Sequence, residues 1–263
     1  MTRRTFQKIV AAGITAARAV RAAAHLRIGI GCYTYRRLPV EGMIGQLKAL
    51  KIDEIELSRG EFMPFSKPPL ERFQAFRRAI DEAGIRCVSW YAATMTEDTD
   101  LDNAVRFAKV LGATHITGDA TGEILEHMDK RFTADGLTFG IHNHFLKQEF
   151  AYKSPEDILR VLEKRSDTIG CTLDIGHIVS CGYDTVDAVR KLGPRIQLVH
   201  LKDIEAAGAE VNVPLGTGVA KIPQVMQELH KLNFEGLVAL EYEKEGSIND
   251  DVARQVAYAR RLA

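Results

Sequence analysis

Short runs rich in Ile, Val and Leu, each closed by polar residues, recur along this chain from residue 27 onward. They predict strands at Arg27–Thr34, Glu54–Ser58, Arg86–Tyr91, His115–Gly118, Thr138–His144, Gly170–Asp174, Ile196–Lys202 and Gly236–Glu243. Runs that are short and nearly continuous suit strands covered on both faces, as in a parallel sheet. Between them the apolar positions change to helical spacing. Gly42–Leu50 puts Met43, Ile44, Leu47 and Leu50 on one face, Leu70–Ala83 does so with Phe73, Phe76 and Ile80, and Leu101–Leu111 with Ala104, Phe107, Ala108 and Leu111. Ser154-Pro155-Glu156-Asp157 reads as a helix start: a capping hydroxyl, a proline at the first helical position, then acids. Ile222-Pro223 opens another helix, running through Leu232. Gly84, Gly112, Gly182 and Gly193 fall where helices stop or loops turn.

Strand and helix therefore alternate in units of roughly thirty residues, the repeat of a (β/α)8 barrel. The expectation is an α/β fold, one (β/α)8 TIM barrel over residues 25–263. A doubly wound open sheet is the alternative, but its phosphate-binding loop is missing. Ile28-Gly29-Ile30-Gly31-Cys32 reads as strand interior, with no Gly-x-Gly-x-x-Gly turn after it.

The predicted strands end on unusual residues. His142 and His144 close one, Asp174 the next, His200 the next and Glu241 the last. Such groups are costly to bury unless paired or bound to a metal. In a parallel barrel the C-terminal strand ends share one mouth, so these residues would converge as a mixed imidazole–carboxylate metal site. Side chains alternate along a strand, so His142 and His144 share a face, as do His200 and Lys202, and Glu241 and Glu243. Two polar layers would then stack at the mouth. If the strand-five register slips by one residue, Asn143 or His144 replaces His142. Glu56, at the end of strand two, is placed to support the site. Tyr33 and Tyr35, with Trp90 and Tyr91, could form an aromatic wall for a ligand ring, although barrel packing explains Trp90 equally well. The Gly216–Gly218 loop could bind phosphate through backbone amides.

Asp174-Ile175-Gly176-His177, His200-Leu201-Lys202-Asp203, Leu215-Gly216-Thr217-Gly218 and Glu241-Tyr242-Glu243 together resemble the sugar phosphate isomerase/epimerase group. These are xylose isomerase-like barrels, and they include endonuclease IV-like enzymes, ketose 3-epimerases and inosose dehydratases. The resemblance runs from about Leu26 to Ala263. It implies one divalent metal, Mn²⁺ first, with Mg, Co or Zn as alternatives, held at the positions of His142, Asp174, His200 and Glu241. At the first position relatives carry Glu in a Glu-Asn-His segment, whereas this chain has His142-Asn143-His144. The resemblance further implies proton transfer by Glu241, substrate binding by His177, and His144 and Glu243 as site residues. Lys202 would stabilise an oxyanion or donate a proton, with a pKa lowered by burial and by the metal. Asp203 would orient Lys202 or a ligand imidazole.

The expected activity is a metal-dependent sugar isomerase or epimerase that abstracts a proton next to a polarised carbonyl. Hydration or dehydration of a keto-sugar on the same site is the alternative, because two-base epimerisation uses the carboxylate that His142 replaces. A non-catalytic sugar-binding protein is a third reading. A nuclease is disfavoured: the 35 basic and 35 acidic residues are mixed along the chain, net charge is zero, and no basic stripe appears. The resemblance thus implies a small carbohydrate as substrate rather than nucleic acid, and a homodimer stays open. With 46% hydrophobic residues in 263, a packed core is expected, yet no apolar run is long enough to span a bilayer. Four cysteines without a Cys-x-x-Cys pair read as small hydrophobes rather than disulfides.

Residues 1–24 differ from the rest. Thr2-Arg3-Arg4-Thr5-Phe6-Gln7-Lys8 followed by an alanine-rich stretch resembles a twin-arginine export signal, with cleavage near Ala17-Arg18-Ala19 or Ala22-Ala23-Ala24. It implies a periplasmic protein. The alternative is a cytoplasmic one whose N-terminus is an amphipathic helix on the barrel floor.

Overall fold

The computed structural model describes residues 25–63, 69–145 and 152–263. The expected export segment, residues 1–24, lies outside the described residues. Eight parallel strands close into a barrel: β1 (Arg27–Gly31), β2 (Glu54–Leu57), β3 (Arg86–Met95), β4 (His115–Ala120), β5 (Thr138–His142), β6 (Ile169–Asp174), β7 (Ile196–Leu201) and β10 (Leu237–Leu240). Their order around the barrel is β1-β10-β7-β6-β5-β4-β3-β2. A two-stranded antiparallel ribbon, β8 (Asp203–Ile204) with β9 (Asn212–Val213), interrupts the chain after β7. Every predicted strand is present, with ends displaced by a few residues. The first stops at Gly31 and passes into a 3₁₀ turn, Cys32–Tyr35. The last stops at Leu240, so Glu241 and Glu243 stand just past the ladder. β4 continues beyond Gly118 to Ala120.

Helices pack around the strands: α1 (Val40–Ala49), α2 (Leu70–Glu82), α3 (Asp98–Leu111), α4 (Ile124–Asp135), α5 (Pro155–Leu162), α6 (Ile175–Ser180), α7 (Thr185–Leu192), α8 (Ile222–Lys231) and α9 (Asn249–Leu262). Local sequence accounts for the boundaries. Ser154 accepts from the Asp157 N–H while the Asp157 carboxylate accepts from the Ser154 N–H, a reciprocal cap for α5. Gly112 ends α3 in the left-handed region at φ 70°, which a side chain disfavours.

The apolar mass lies between strands and helices as one large cluster. Inside the barrel the apolar filling is small: Leu198, Leu237 and Ala239, with Val88 against them. Interiors of such barrels are commonly layers of branched apolar residues. Here Glu56, Ser89, Thr117, Thr172 and His200, all fully buried, take much of that space. All four cysteines are unpaired, as expected. Trp90 packs edge-on to Phe73 at 5.0 Å and so belongs to the helix layer, while Tyr35 is buried at the turn after β1. Among the described residues no helix is long and apolar enough to cross a membrane.

Candidate metal and active site

The strand ends meet as alternation predicts. His142 ends β5, Asp174 ends β6, His200 lies within β7 and Glu241 follows β10. His142 Nε2 lies 3.1 Å from His200 Nδ1 and 3.8 Å from Asp174 Oδ2. His200 Nδ1 is 3.7 Å from Asp174 Oδ2 and 3.9 Å from Glu241 Oε2. One ligand atom each from His142, Asp174 and His200 falls within 4.8 Å of the others, and a second such group joins His142, His144 and His177.

The donor set fits a divalent cation. Asp174 divides its oxygens: Oδ1 accepts from the His177 N–H at 2.9 Å and caps α6, while the fully buried Oδ2 has no hydrogen-bond partner. That oxygen lies 3.1 Å from the Lys202 ammonium and 3.7 and 3.8 Å from the His200 and His142 nitrogens, so it is an acceptor with a lone pair to spare beside two imidazoles. His142, Asp174 and His200 offer two imidazoles and one carboxylate, a borderline set suited to Mn, Co or Zn, whereas Glu241, 3.9 Å from His200 Nδ1, falls outside that group and would have to close in to be the fourth ligand. Burial keeps His142 neutral, well below the usual imidazole range, so it offers a lone pair. Burial also opposes charge on Asp174, but His177 and Lys202 outweigh it and hold the carboxyl well below the usual range.

Asn143 settles the register. Its amide donates to Asp174 O at 3.0 Å and its oxygen accepts from Asp174 N at 2.8 Å, so it clamps β5 to β6 and faces away from the site. His144 returns to the mouth, and its Nε2 donates to Asp119 at 2.7 and 2.8 Å. His177 Nδ1 donates to Asn143 O at 2.9 Å. Burial, against the pull of Asp174, lowers His177 to about 4 and leaves it neutral.

Lys202 departs from expectation. It is 1% exposed, and its ammonium sits 3.1 Å from Asp174 Oδ2 and 2.9 Å from Glu241 Oε2, in contact with Glu243 as well. Burial disfavours the charge, but three carboxylates outweigh it, so with no divalent cation bound the pKa is raised. Lys202 therefore balances two of the proposed ligands as a fixed cation. Glu241 is pushed up by burial, against Lys202 and His200.

Asp203 orients neither Lys202 nor an imidazole. Its carboxylate accepts from the backbone N–H groups of Gly216 at 2.9 Å and of Gly218, Ala220 and Ile204 at 3.0 Å. The amides read as a phosphate cradle are thus occupied by a side chain of the protein, which removes that reading.

The sequence reading missed Asp119. Cutting β4 at Gly118 hid it, although His115, Thr117 and Asp119 share one face and the strand-end rule would have found it. Glu56 is more central than expected: it contacts His200 Nε2 and accepts from Ser89 Oγ at 2.7 Å. Above these groups opens a cavity of about 240 Å³, bounded by Tyr33, Arg59, Tyr91 and Phe145, with His142, His144, His177, His200, Glu241 and Glu243 reaching its wall. Tyr33 and Tyr91 are the aromatic wall; Tyr35 and Trp90 are not. In the barrel order β4 lies diametrically opposite β10. The Asp119–His144 pair therefore faces Glu241 and Glu243 across the mouth.

The comparisons agree with this architecture. An uncharacterised Mycobacterium tuberculosis protein is 34% identical over 70 residues, 27% of this chain and 25% of its own, so the match spans a quarter of that relative's length. The inosose dehydratase of Geobacillus thermodenitrificans is 24% identical over 241 residues, covering 83% of this chain and 79% of the relative. The solved structure of the probable 3-DHS dehydratase of Bacillus anthracis superimposes with a TM-score of 0.70 at 14% identity, over 88% of this chain and 98% of that one, which is a likeness of fold. The sequence profile of the xylose isomerase-like TIM barrel matches residues 44–262, and the chain belongs to that family.

Proposed function

We propose that this protein is a divalent-metal-dependent enzyme that removes the proton next to the carbonyl of a small keto-sugar, with loss of the neighbouring hydroxyl as water. One observation carries the reading: unlike groups face each other across the mouth, Glu241 on one side and the His144–Asp119 pair on the other, with His142, Asp174 and His200 between them. A cation held by His142, Asp174, His200 and Glu241 would polarise the carbonyl and stabilise the enediolate. Glu241 accepts the α-proton, and the C–H electron pair moves into the enediolate. As that collapses, the β C–O bond breaks and His144, carrying hydrogen on both nitrogens with Nε2–H held by Asp119, gives its Nδ1 proton to the departing oxygen and ends neutral. Lys202 keeps Glu241 in place, and Tyr33 and Tyr91 cover the sugar. The inosose dehydratase likeness supports elimination, as does the imidazole at the strand-five position.

Isomerisation or epimerisation is the second reading, because His144 backed by Asp119 could return a proton to carbon from the opposite face. Incubation with a panel of keto-sugars and Mn²⁺ in D₂O separates the two. Elimination gives a product lighter by one water. Epimerisation gives an isomer carrying one solvent deuterium. Turnover must vanish with a chelator and return with Mn²⁺. Activity that survives full metal removal, or no conversion of any keto-sugar by the metal-loaded protein, sinks the proposal.

A further inference from the structure

We infer that Glu56 is a positioning residue that fixes which nitrogen of His200 faces the metal, and that a column of buried hydroxyls along the barrel axis holds Glu56 in that task. The inference rests on the metal-site reading above.

His200 presents its two nitrogens to different partners. Nε2 contacts Glu56 Oε2, while Nδ1 points at His142 Nε2, Asp174 Oδ2 and Glu241 Oε2. An ionised carboxylate only accepts, so Nε2 carries the hydrogen and Nδ1 is the nitrogen that can offer a lone pair to a cation. The other Glu56 oxygen accepts from Ser89 Oγ at 2.7 Å.

Below Ser89 the column continues. Ser89 Oγ lies 3.3 Å from Thr117 Oγ1, Thr117 Oγ1 lies 2.9 Å from Thr172 Oγ1, and Thr172 Oγ1 lies 3.1 Å from His115 Nε2. His115 Nδ1 reaches Thr138 Oγ1 at 2.8 Å. Each hydroxyl has one hydrogen to give. Because Ser89 gives its own to Glu56, the Thr117 hydrogen points upward, to Ser89 or to Glu56 itself. Thr172 then donates to Thr117, His115 Nε2–H donates to Thr172, and Thr138 gives its one hydrogen to His115 Nδ1 at 2.8 Å in preference to Thr114 O at 3.4 Å. That order requires a neutral His115, and burial lowers this histidine to about 4. One acceptor-only group at the top thus aligns every donor beneath it, and bonds aligned in series strengthen one another.

Gly140 makes the column possible. A Cβ there would stand 2.2 Å from Thr172 Oγ1 and 2.9 Å from His115 Nε2. A polar column inside the barrel costs stability unless every member is satisfied. This one is satisfied, and it ends on a proposed metal ligand.

The test uses the full chain loaded with ¹¹³Cd²⁺, whose scalar coupling to ¹⁵N identifies the bound His200 nitrogen, together with Mn²⁺ affinity by calorimetry. Wild type should couple through Nδ1. Glu56→Ala should weaken Mn²⁺ binding by about 10–100-fold and lose the exclusive Nδ1 coupling. Glu56→Gln, whose amide oxygen still accepts from Nε2–H, should recover most of both. Thr117→Val, one layer below the ligands, should weaken binding in the same direction by a smaller factor. Wild-type affinity and Nδ1 coupling in Glu56→Ala overturn the inference. So does Glu56→Gln binding as poorly as Glu56→Ala. If Glu56→Ala does not fold, the other two decide: weak binding in folded Glu56→Gln, or unchanged affinity in Thr117→Val, overturns it. If the wild type itself binds neither Mn²⁺ nor Cd²⁺, the metal-site reading fails first and the inference falls with it.

Discussion

Gly176 lies directly against the Lys202 side chain: a Cβ on this glycine would stand 2.8 Å from both Cγ and Cδ of the lysine. The first turn of α6 thereby leaves the channel through which Lys202 reaches Asp174, Glu241 and Glu243. Glycine inside a helix is ordinarily a weakness, and alanine in its place stabilises by about 1 kcal/mol. Here the reverse is expected. Gly176→Ala should cost about 1–3 kcal/mol in urea unfolding, because a crowded core must shift. It should also impair turnover by displacing the cation that balances Glu241. A more stable, fully active variant would show that Lys202 is not held by this packing.

Asp203 predicts a loop rather than a catalytic defect. Replacing it by Ala strands the Gly216, Gly218, Ala220 and Ile204 N–H groups, at a cost of roughly 3 kcal/mol or more. Amide exchange at those four positions should accelerate well beyond the change in global stability. If their protection stays unchanged, the carboxylate is not what holds the loop.

His115 sets part of the acid response. Burial lowers it from 6.5 to about 4, against the opposing pull of Glu56. The folded state thus disfavours the proton. The stability His115 contributes is complete above the unfolded value and is lost as pH falls from 6.5 towards 4. The size is at most roughly 3 kcal/mol. His115→Asn should therefore be destabilising at pH 7 and much less so at pH 4.5, with both proteins unfolded in chelator so that shared titrations cancel. An equal penalty at both pH values would show that the histidine is protonated in the fold.

His142 stands where the family resemblance implies a glutamate. His142→Glu should retain Mn²⁺ binding and add the second metal-bound carboxylate that two-base epimerisation employs. The expected change is in products: solvent deuterium appears in recovered or epimerised sugar, and the elimination product declines. An unchanged product ratio would mean that the strand-five ligand does not steer the outcome.

We propose that residues 1–24 act as an export signal. Among the described residues, all eight strands of the closed barrel lie between Arg27 and Leu240. A 25–263 chain should melt within a degree or two of the full chain, and fusing 1–24 to a reporter should export it only while Arg3 and Arg4 are intact. A large drop in melting temperature would point instead to a segment packed on the barrel floor.

Much of this protein is written in local pattern. The eight strands follow from apolar runs and helical spacing, and His142, Asp174, His200 and Glu241 follow from strand ends in a parallel barrel, because alternation and chain direction are properties of the backbone alone. Glu241 and Glu243 stand past the end of β10, so their meeting at Lys202 is decided by the loop that follows and not by strand alternation. What the tertiary structure decided is who pairs with whom. Lys202 read as a proton donor with a lowered pKa, and the charge on that lysine depends on Asp174, Glu241 and Glu243, which sit on other strands. Asp203 read as an orienting acid beside an empty phosphate loop, yet the loop folds back onto its carboxylate, across 13 to 17 residues of chain. Glu56 and His200 are 144 residues apart, and only barrel closure brings them together. Periodicity determines the face on which a side chain stands, whereas its charge, tautomer and partner depend on neighbours that adjacency in the chain does not specify.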